Sequence, residues 1–253
     1  MYDDVIALRD FYKTPLGQHV AGQMQPHLTR FWHVDASCCN VMVGYGIGWL
    51  QPASRDHKLP ANLFTLMLAR FGVISWPESG PGCSGLVDNY ALPLPDVHID
   101  RLLLAHALEF DADPGRLLDE CWRVLDGAGK LLVVVPNRRG LWARLEHVPF
   151  GHGRPYSSRQ LCQLLKTHGF VPKRTYRAVC FPPLHNRAMM RFATTIERLG
   201  QRWWPALGGV LLVEAEKKLY AAAGNTSKLR RRRTGTAPAL ATLRVARARD
   251  IRR

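Results

Sequence analysis

Residues 39–48 read Cys39-Asn-Val-Met-Val-Gly-Tyr-Gly-Ile-Gly48, a short apolar run that breaks into three alternate glycines. The run has the character of a buried strand, and the glycines mark a tight turn where that strand ends. A strand-to-glycine junction of this kind has two readings. It lets the backbone approach a ligand closely, with helix-end N–H groups pointing at it, or it is a turn with no ligand at all. GxGxG alone does not choose between them.

The chain on either side places this junction in an α/β protein. Downstream, Lys130 leads into Leu-Leu-Val-Val-Val135, whose unbroken β-rich apolar character is that of a strand covered on both faces. Before it, Asp113-Pro114 supplies an N-cap and a proline at the first helical position. Leu118, Cys121, Trp122 and Leu125 follow on one face, and Asp126-Gly-Ala-Gly129 ends the helix. Shorter strands are expected at 62–69, 84–88 and 99–104. Ser157-Ser-Arg-Gln160 has capping-box spacing, and Leu161, Leu164 and Leu165 form an apolar face that ends at Gly169. Further on, the pattern predicts a strand from Tyr176 to Phe181, stopped by Pro182-Pro183, then a helix from Met189 to Trp203 and a last strand from Gly209 to Tyr220. Upstream, Val5, Leu8, Phe11 and Tyr12 lie at helical spacing, Pro15 and Gly17 interrupt, and a second apolar stretch runs from Val20 to Trp32. That is a leader of one or two helices packed on the domain that follows. Strand and helix alternate, which predicts a doubly wound sheet.

Bulk properties exclude several classes. The chain has 253 residues, 47% apolar and 22% charged, enough for one domain with a substantial core and unlike a disordered chain. Its six cysteines contain no CxxC pair, so neither a zinc ribbon nor a disulfide ladder fits, and a reducing cytosol is the default location. Met-Tyr-Asp-Asp at the start has the wrong charge order for a signal peptide. The uncharged runs at 203–213 and 36–54 carry prolines and glycines and do not read as membrane spans. The formal charge is +15, and residues 224–253, with ten basic residues against Asp250, hold +9 of it.

At three places the sequence resembles class I S-adenosylmethionine-dependent methyltransferases, in the branch similar to the ubiquinone/menaquinone biosynthesis enzymes. Asn40-Val-Met-Val-Gly-Tyr-Gly-Ile-Gly48 looks like the family's first motif. Val87-Asp-Asn-Tyr-Ala-Leu-Pro-Leu-Pro-Asp96 followed by Ile99-Asp100 looks like its "DAxxLPFPDxxFD" stretch. Leu104-Ala-His-Ala-Leu-Glu109, Asp113-Pro114 and Trp122-Arg-Val-Leu-Asp-Gly-Ala-Gly-Lys-Leu131 match its fourth strand, helix and "RVLxPGGxL" pattern. A later segment, His152-Gly-Arg-Pro-Tyr-Ser157 with Leu161, Leu164-Leu165 and Gly169-Phe170, resembles "HxRxFSxxELxxLLxxAGF", so the likeness covers about 38–171.

The resemblance implies a Rossmann-like, doubly wound, mostly parallel sheet of about seven strands with an antiparallel C-terminal strand. It implies S-adenosylmethionine as cofactor. Gly44, Gly46 and Gly48 would pass beneath the methionine part, Asp88 would accept from the adenine amino group with Asn89 adjacent, and Ala105 and His106 would lie near the sulfonium. His152, Arg154 and Tyr156 are expected on the acceptor side, Arg154 suiting an anionic acceptor. His106 and His152 are the candidate general bases. For Asp88 the alternative role is a turn cap, for His106 a packed strand-end histidine, and for Arg154 a loop cap. Two family positions differ: the acid two residues before the first glycine is Met42, and Leu66-Met67-Leu68 has no ribose-binding carboxylate, the next acid being Glu78.

His147, His152 and His168 lack metal-ligand spacing, and no metal is expected. Trp203-Trp204 reads as core or a packing edge. The expected organisation is a helical leader at 1–35, a methyltransferase-like domain at 36–223 and a basic, unstructured tail at 224–253, able to associate weakly with polyanions in a salt-sensitive way. The function expected is methyl transfer from S-adenosylmethionine to a small-molecule acceptor in the cytoplasm. The competing reading is a catalytically degenerate methyltransferase-fold protein binding nucleic acid through its tail.

Overall fold

The computed structural model describes residues 2, 4–32, 37–50, 62–77, 82–182, 203 and 208–218. The order is α1 (Val5–Lys13), α2 (Pro15–Phe31), β1 (Asn40–Gly44), α3 (Ile47–Leu50), β2 (Leu63–Leu68), β3 (Ser84–Val87), β4 (Ile99–Ala105), α4 (Pro114–Val124), β5 (Leu125–Pro136), α5 (Ser158–Thr167), β6 (Phe170–Ala178) and β7 (Val210–Lys217). By internal packing the chain divides into Met1–Leu219 and Tyr220–Arg253, and every described residue belongs to the first unit. The expected helix at 189–203 lies outside the described residues except for Trp203, and so do Glu78, Trp204 and the basic tail. Trp203 is 66% exposed.

Seven strands form one sheet in the order β3-β2-β1-β4-β5-β7-β6. Every pairing from β3 to β5 is parallel, and β7 runs antiparallel to both of its neighbours, as expected for the C-terminal strand. Side chains alternate across each strand and so feed two separate cores. Met42, Leu103, Leu132, Val134 and Leu212 face α1, α2 and α3. Val41, Val43, Leu102, Leu104, Val133 and Val213 face α4 and α5. Burial on both faces explains the apolar runs Val41–Val43 of β1, Leu102–Ala105 of β4 and Leu131–Val135 of β5.

The helix ends follow from their caps. Asp4 accepts from Ala7 N at 2.7 Å, and Asp113 accepts from Arg116 N at 3.3 Å. Thr14 serves two helices, donating to Phe11 O at 2.7 Å and accepting from Gly17 N at 3.1 Å. Both halves of the Ser157/Gln160 capping box form, at 3.2 and 3.0 Å.

Two boundaries differ from the sequence reading. The sixth strand is Phe170–Ala178, not Tyr176–Phe181. It is the edge of the sheet, so Lys173, Arg174 and Thr175 lie exposed and the segment has no apolar run to betray it. Phe181 instead enters the core, its carbonyl accepting from Trp142 Nε1 at 2.7 Å. The fourth helix ends at Val124, and Asp126–Gly129 is taken into β5 as an irregularity: Leu125 pairs with Ile99, then the register shifts and Lys130 pairs with Arg101.

Candidate functional site

In an open parallel sheet, ligands meet the carboxyl ends of the strands. β1 and β4 are neighbours, and their last residues, Gly44 and Ala105, pair with each other. The chain then turns sharply at Gly44 (φ 91°), and Tyr45 N donates to Ala105 O at 2.7 Å. A Cβ on Gly44 would lie 2.1 Å from Ala105 O, and one on Gly46 would lie 2.6 Å from Met42 Sδ and 2.9 Å from Ala105 Cβ. On Gly48 it would meet the Tyr12 ring at 2.5 Å. All three glycines are therefore required by the protein's own packing, and the face of Gly48 is covered by the leader helix α1.

His106 directly follows β4. It is fully buried and has a positive φ of 48°, a conformation that costs a non-glycine residue free energy and persists only where the surroundings impose it. Two side chains hold its ring here. His106 Nδ1 lies 3.1 Å from Glu109 Oε1, and His106 Nε2 lies 2.7 Å from the Tyr12 hydroxyl. An ionised carboxylate only accepts, so Nδ1 carries the proton, Nε2 is the basic nitrogen, and the phenol donates to it. Burial raises the Tyr12 phenol well above its ordinary value, which keeps it the donor. Phe150 (centroid distance 4.8 Å), Trp49 (5.3 Å) and Phe110 (6.5 Å) surround the imidazole. Glu109 is 2% exposed, and its second oxygen, Oε2, is buried with no hydrogen-bond partner among the described residues. An orphaned buried acceptor is costly unless something completes it.

Asp88 directly follows β3, on the same carboxyl edge with β2 between it and β1. It is exposed. Its Oδ1 accepts from Tyr90 N at 2.7 Å, so it does cap its turn, while Oδ2 makes no hydrogen bond among the described residues. Asn89 is committed elsewhere, donating to Asp111 Oδ2 at 2.6 Å, and Tyr90 donates to Asp111 Oδ1 at 2.8 Å. After β2 the chain presents a cation where an acid was sought. Arg70 donates to Phe110 O and stacks on Phe71 at 5.0 Å.

The 152–156 segment is only partly drawn to this centre. Gly153 (φ 74°) lies so close to Glu109 that a Cβ would sit 2.6 Å from its carbonyl oxygen, and Arg154 N donates to that same oxygen at 2.7 Å. Tyr156 is buried beside the ends of β4 and β5, its N donating to Pro136 O at 3.0 Å. Burial raises its phenol, with the neighbouring Arg154 opposing the shift. His152 turns away: its Nε2 donates to Glu146 O at 2.6 Å and its ring meets Tyr2 edge-on. His168 is similarly engaged, with Asp119 at 2.7 Å.

The structure thus gathers Gly44, Gly46, Gly48, Ala105 and His106 around the ends of β1 and β4, ties the backbone of Arg154 to Glu109, and places Tyr156 at the end of β5. It sets Asp88 farther along the same edge and leaves His152 outside. Sequence reasoning missed Glu109 and Tyr12. Glu109 stands three residues after His106, a spacing visible in the sequence, whereas nothing in the sequence ties Tyr12 to a residue 94 positions away.

For an adenosyl-sulfonium amino acid the donor set fits. The unpartnered Asp88 Oδ2 is an acceptor for an exocyclic amine at the end of β3, and the orphaned Glu109 Oε2 is a buried acceptor for a cationic centre at the end of β4.

A family model described as "Methyltransferase domain" matches residues 82–133, which include Asp88, Ala105, His106 and Glu109. "Probable S-adenosylmethionine-dependent methyltransferase Rv3030" of Mycobacterium tuberculosis is 38% identical over 82 residues, 32% of this chain and 30% of that protein. The matched segment therefore spans less than a third of this relative's length. Among solved structures, a SAM-dependent methyltransferase of Thermotoga maritima superposes with a TM-score of 0.57 at 15% identity, covering 85% of this chain and 96% of that one. A SAM-dependent methyltransferase of Archaeoglobus fulgidus gives 0.55 at 19% identity, covering 85% and 100%. At these identities the likeness is one of fold.

Proposed function

We propose that this chain is a class I S-adenosylmethionine-dependent methyltransferase, to which its matched segment is similar, that it binds S-adenosylmethionine at the carboxyl edge of β1, β3 and β4, and that it methylates a small molecule. The observation that carries the reading is the buried His106–Glu109 pair at the end of β4, beside the glycine turn. The turn from Gly44 to Gly48 and Ala105 would hold the methionine part, and Asp88 the adenine amino group. When bound, the cofactor supplies an electrophilic methyl group on a sulfonium, so the protein's own task is to align an acceptor and manage its proton.

His106 is suited to that proton. Its Nδ1–H is fixed on Glu109, which leaves Nε2 as an acceptor for the hydrogen lost by an acceptor hydroxyl or amine. Glu109 stabilises the imidazolium that results. In the structure the Tyr12 hydroxyl fills this acceptor position, so the leader helix must yield when substrates enter. Arg154 lies beside Tyr156 on the acceptor side and favours an acceptor with a carboxylate or other anionic group. His152 takes no part in proton transfer in this account.

Titration of S-adenosylhomocysteine into the full chain tests the proposal. Saturable binding is expected, weakened about tenfold by Asp88→Ala, the cost of one charged hydrogen bond. Absence of binding to the wild type at millimolar ligand would overturn it.

A further inference from the structure

A second concavity lies beyond the carboxyl ends of β5 and β6. Its volume is about 420 Å3, and Arg139, Arg159, Arg177, Ser157, Ser158 and Cys162 line it. Asn137, also in the lining, braces the wall: its side chain donates to Gly208 O at 2.6 Å and accepts from Arg139 N at 3.2 Å. Ser157 and Ser158 enter through the start of α5, and Arg177 through the end of β6.

The charge of this cavity is one-sided. Among the described residues three arginines line it and no acidic residue does, and none of the three arginines has an ion-pair partner. Two arginines elsewhere in the fold are paired, Arg123 with Asp96 and Glu120 and Arg9 with Asp10. Like charges gathered in a concave wall repel one another and raise the local affinity for anions. Guanidinium is the cation matched to planar, bidentate recognition of phosphate oxygens, and serine hydroxyls add neutral donors. The volume is that of a small-molecule site.

We propose that this cavity binds the phosphoryl group of a small soluble molecule. The site uses none of the residues assigned to the His106–Glu109 centre and does not depend on the methyltransferase reading. Three guanidiniums favour a dianion over a carboxylate, because each pairs with the same compact set of oxygens.

The test is calorimetric titration of the full chain with inorganic phosphate and with glycerol 3-phosphate at constant ionic strength, with sodium acetate as the matched control. Saturable binding of both phosphates is expected, with acetate at least tenfold weaker. Arg159→Ala and Arg177→Ala, each at an exposed side chain, should weaken phosphate binding by about 10-fold or more and leave the thermal midpoint unchanged. Replacing Arg230 and Arg232 of the tail should leave the affinity intact. A second readout is the alkylation rate of Cys162, followed by peptide mass, which phosphate should slow in the wild type and not in Arg159→Ala. Phosphate binding that is absent, that is unchanged in both arginine variants, or that follows the tail arginines instead would overturn the proposal, as would saturable binding that leaves Cys162 unprotected.

Discussion

The hydroxyl of Tyr12 sits 2.7 Å from Nε2 of His106, joining the leader helix to the end of the fourth strand across 94 residues of chain. The same ring packs where a side chain on Gly48 would have to go. Tyr12 thus covers the glycine turn and occupies the basic nitrogen of His106 together. The leader is part of the candidate site, not an appendage to it.

Tyr12→Phe separates these two roles by keeping the ring and deleting the hydrogen bond. Loss of one buried hydrogen bond is expected to cost about 1 kcal/mol, which for a chain of this size lowers the thermal midpoint by roughly 2–4 °C. Because the phenol competes with ligand for the site, affinity for S-adenosylhomocysteine should hold or rise. A folded Tyr12→Phe protein that no longer binds would make Tyr12 a cofactor ligand instead of a cover.

Two glycine-to-alanine changes should move stability in opposite directions. At Gly48 the new methyl meets the Tyr12 ring at 2.5 Å, and overpacking there is expected to destabilise by about 1–3 kcal/mol. At Gly22, inside α2, nothing lies within 4 Å, and the gain in helix propensity should stabilise by up to about 1 kcal/mol. Denaturant midpoints of the pair check this. Equal effects would mean that α1 does not press on the turn.

The loop at 92–96 is tied to α4 by two side chains. Glu120 accepts from Leu92 N at 3.0 Å and from Arg123 at 2.8 Å, and Arg123 reaches the carbonyls of Leu92 and Leu94. The hydrogen bond from Arg123 holds the Glu120 carboxyl below its ordinary value of 4.5. A carboxyl lowered in the folded state contributes stability that is complete above the unfolded value and is lost as pH falls through the folded one. Glu120→Gln should therefore cost about 1 kcal/mol near pH 7, and the difference from wild type should vanish in acid well below pH 4.5. A difference that stays constant from pH 7 to pH 3 would refute the assignment.

The last described strand, β7, completes the sheet between β5 and β6 and ends at Lys217. Removing 224–253 is accordingly expected to leave the thermal midpoint and S-adenosylhomocysteine affinity unchanged. A truncated chain that unfolds would move the domain boundary into the tail.

What the sequence made legible follows from where each segment is buried. The centres of β1, β4 and β5 lie between two helical layers and must be apolar on both faces, so their runs stand out. Asp113-Pro114 and Ser157–Gln160 carry their caps in the sequence itself, and the glycine turn announces a place where no Cβ fits. β6 escaped because an edge strand tolerates exposed Lys173 and Arg174 in succession, here at a shift in its register. The site was legible as a location and illegible as a mechanism. His106 was visible as a strand-end histidine, but its pairing with Glu109 depends on a positive φ that no local pattern encodes, and its pairing with Tyr12 arises only from tertiary packing. His152, attractive by its position after the fifth strand, is drawn to the Glu146 carbonyl by a turn its own loop makes.

Hydrogen exchange of the full chain, read by peptide mass with and without S-adenosylhomocysteine, bears most directly on where the cofactor sits. The account predicts new protection confined to peptides containing 44–50, 88–91 and 104–109, with faster exchange in α1 as Tyr12 gives way. Protection confined to the peptides of α5 and β6, or no protection at saturating ligand, would contradict it.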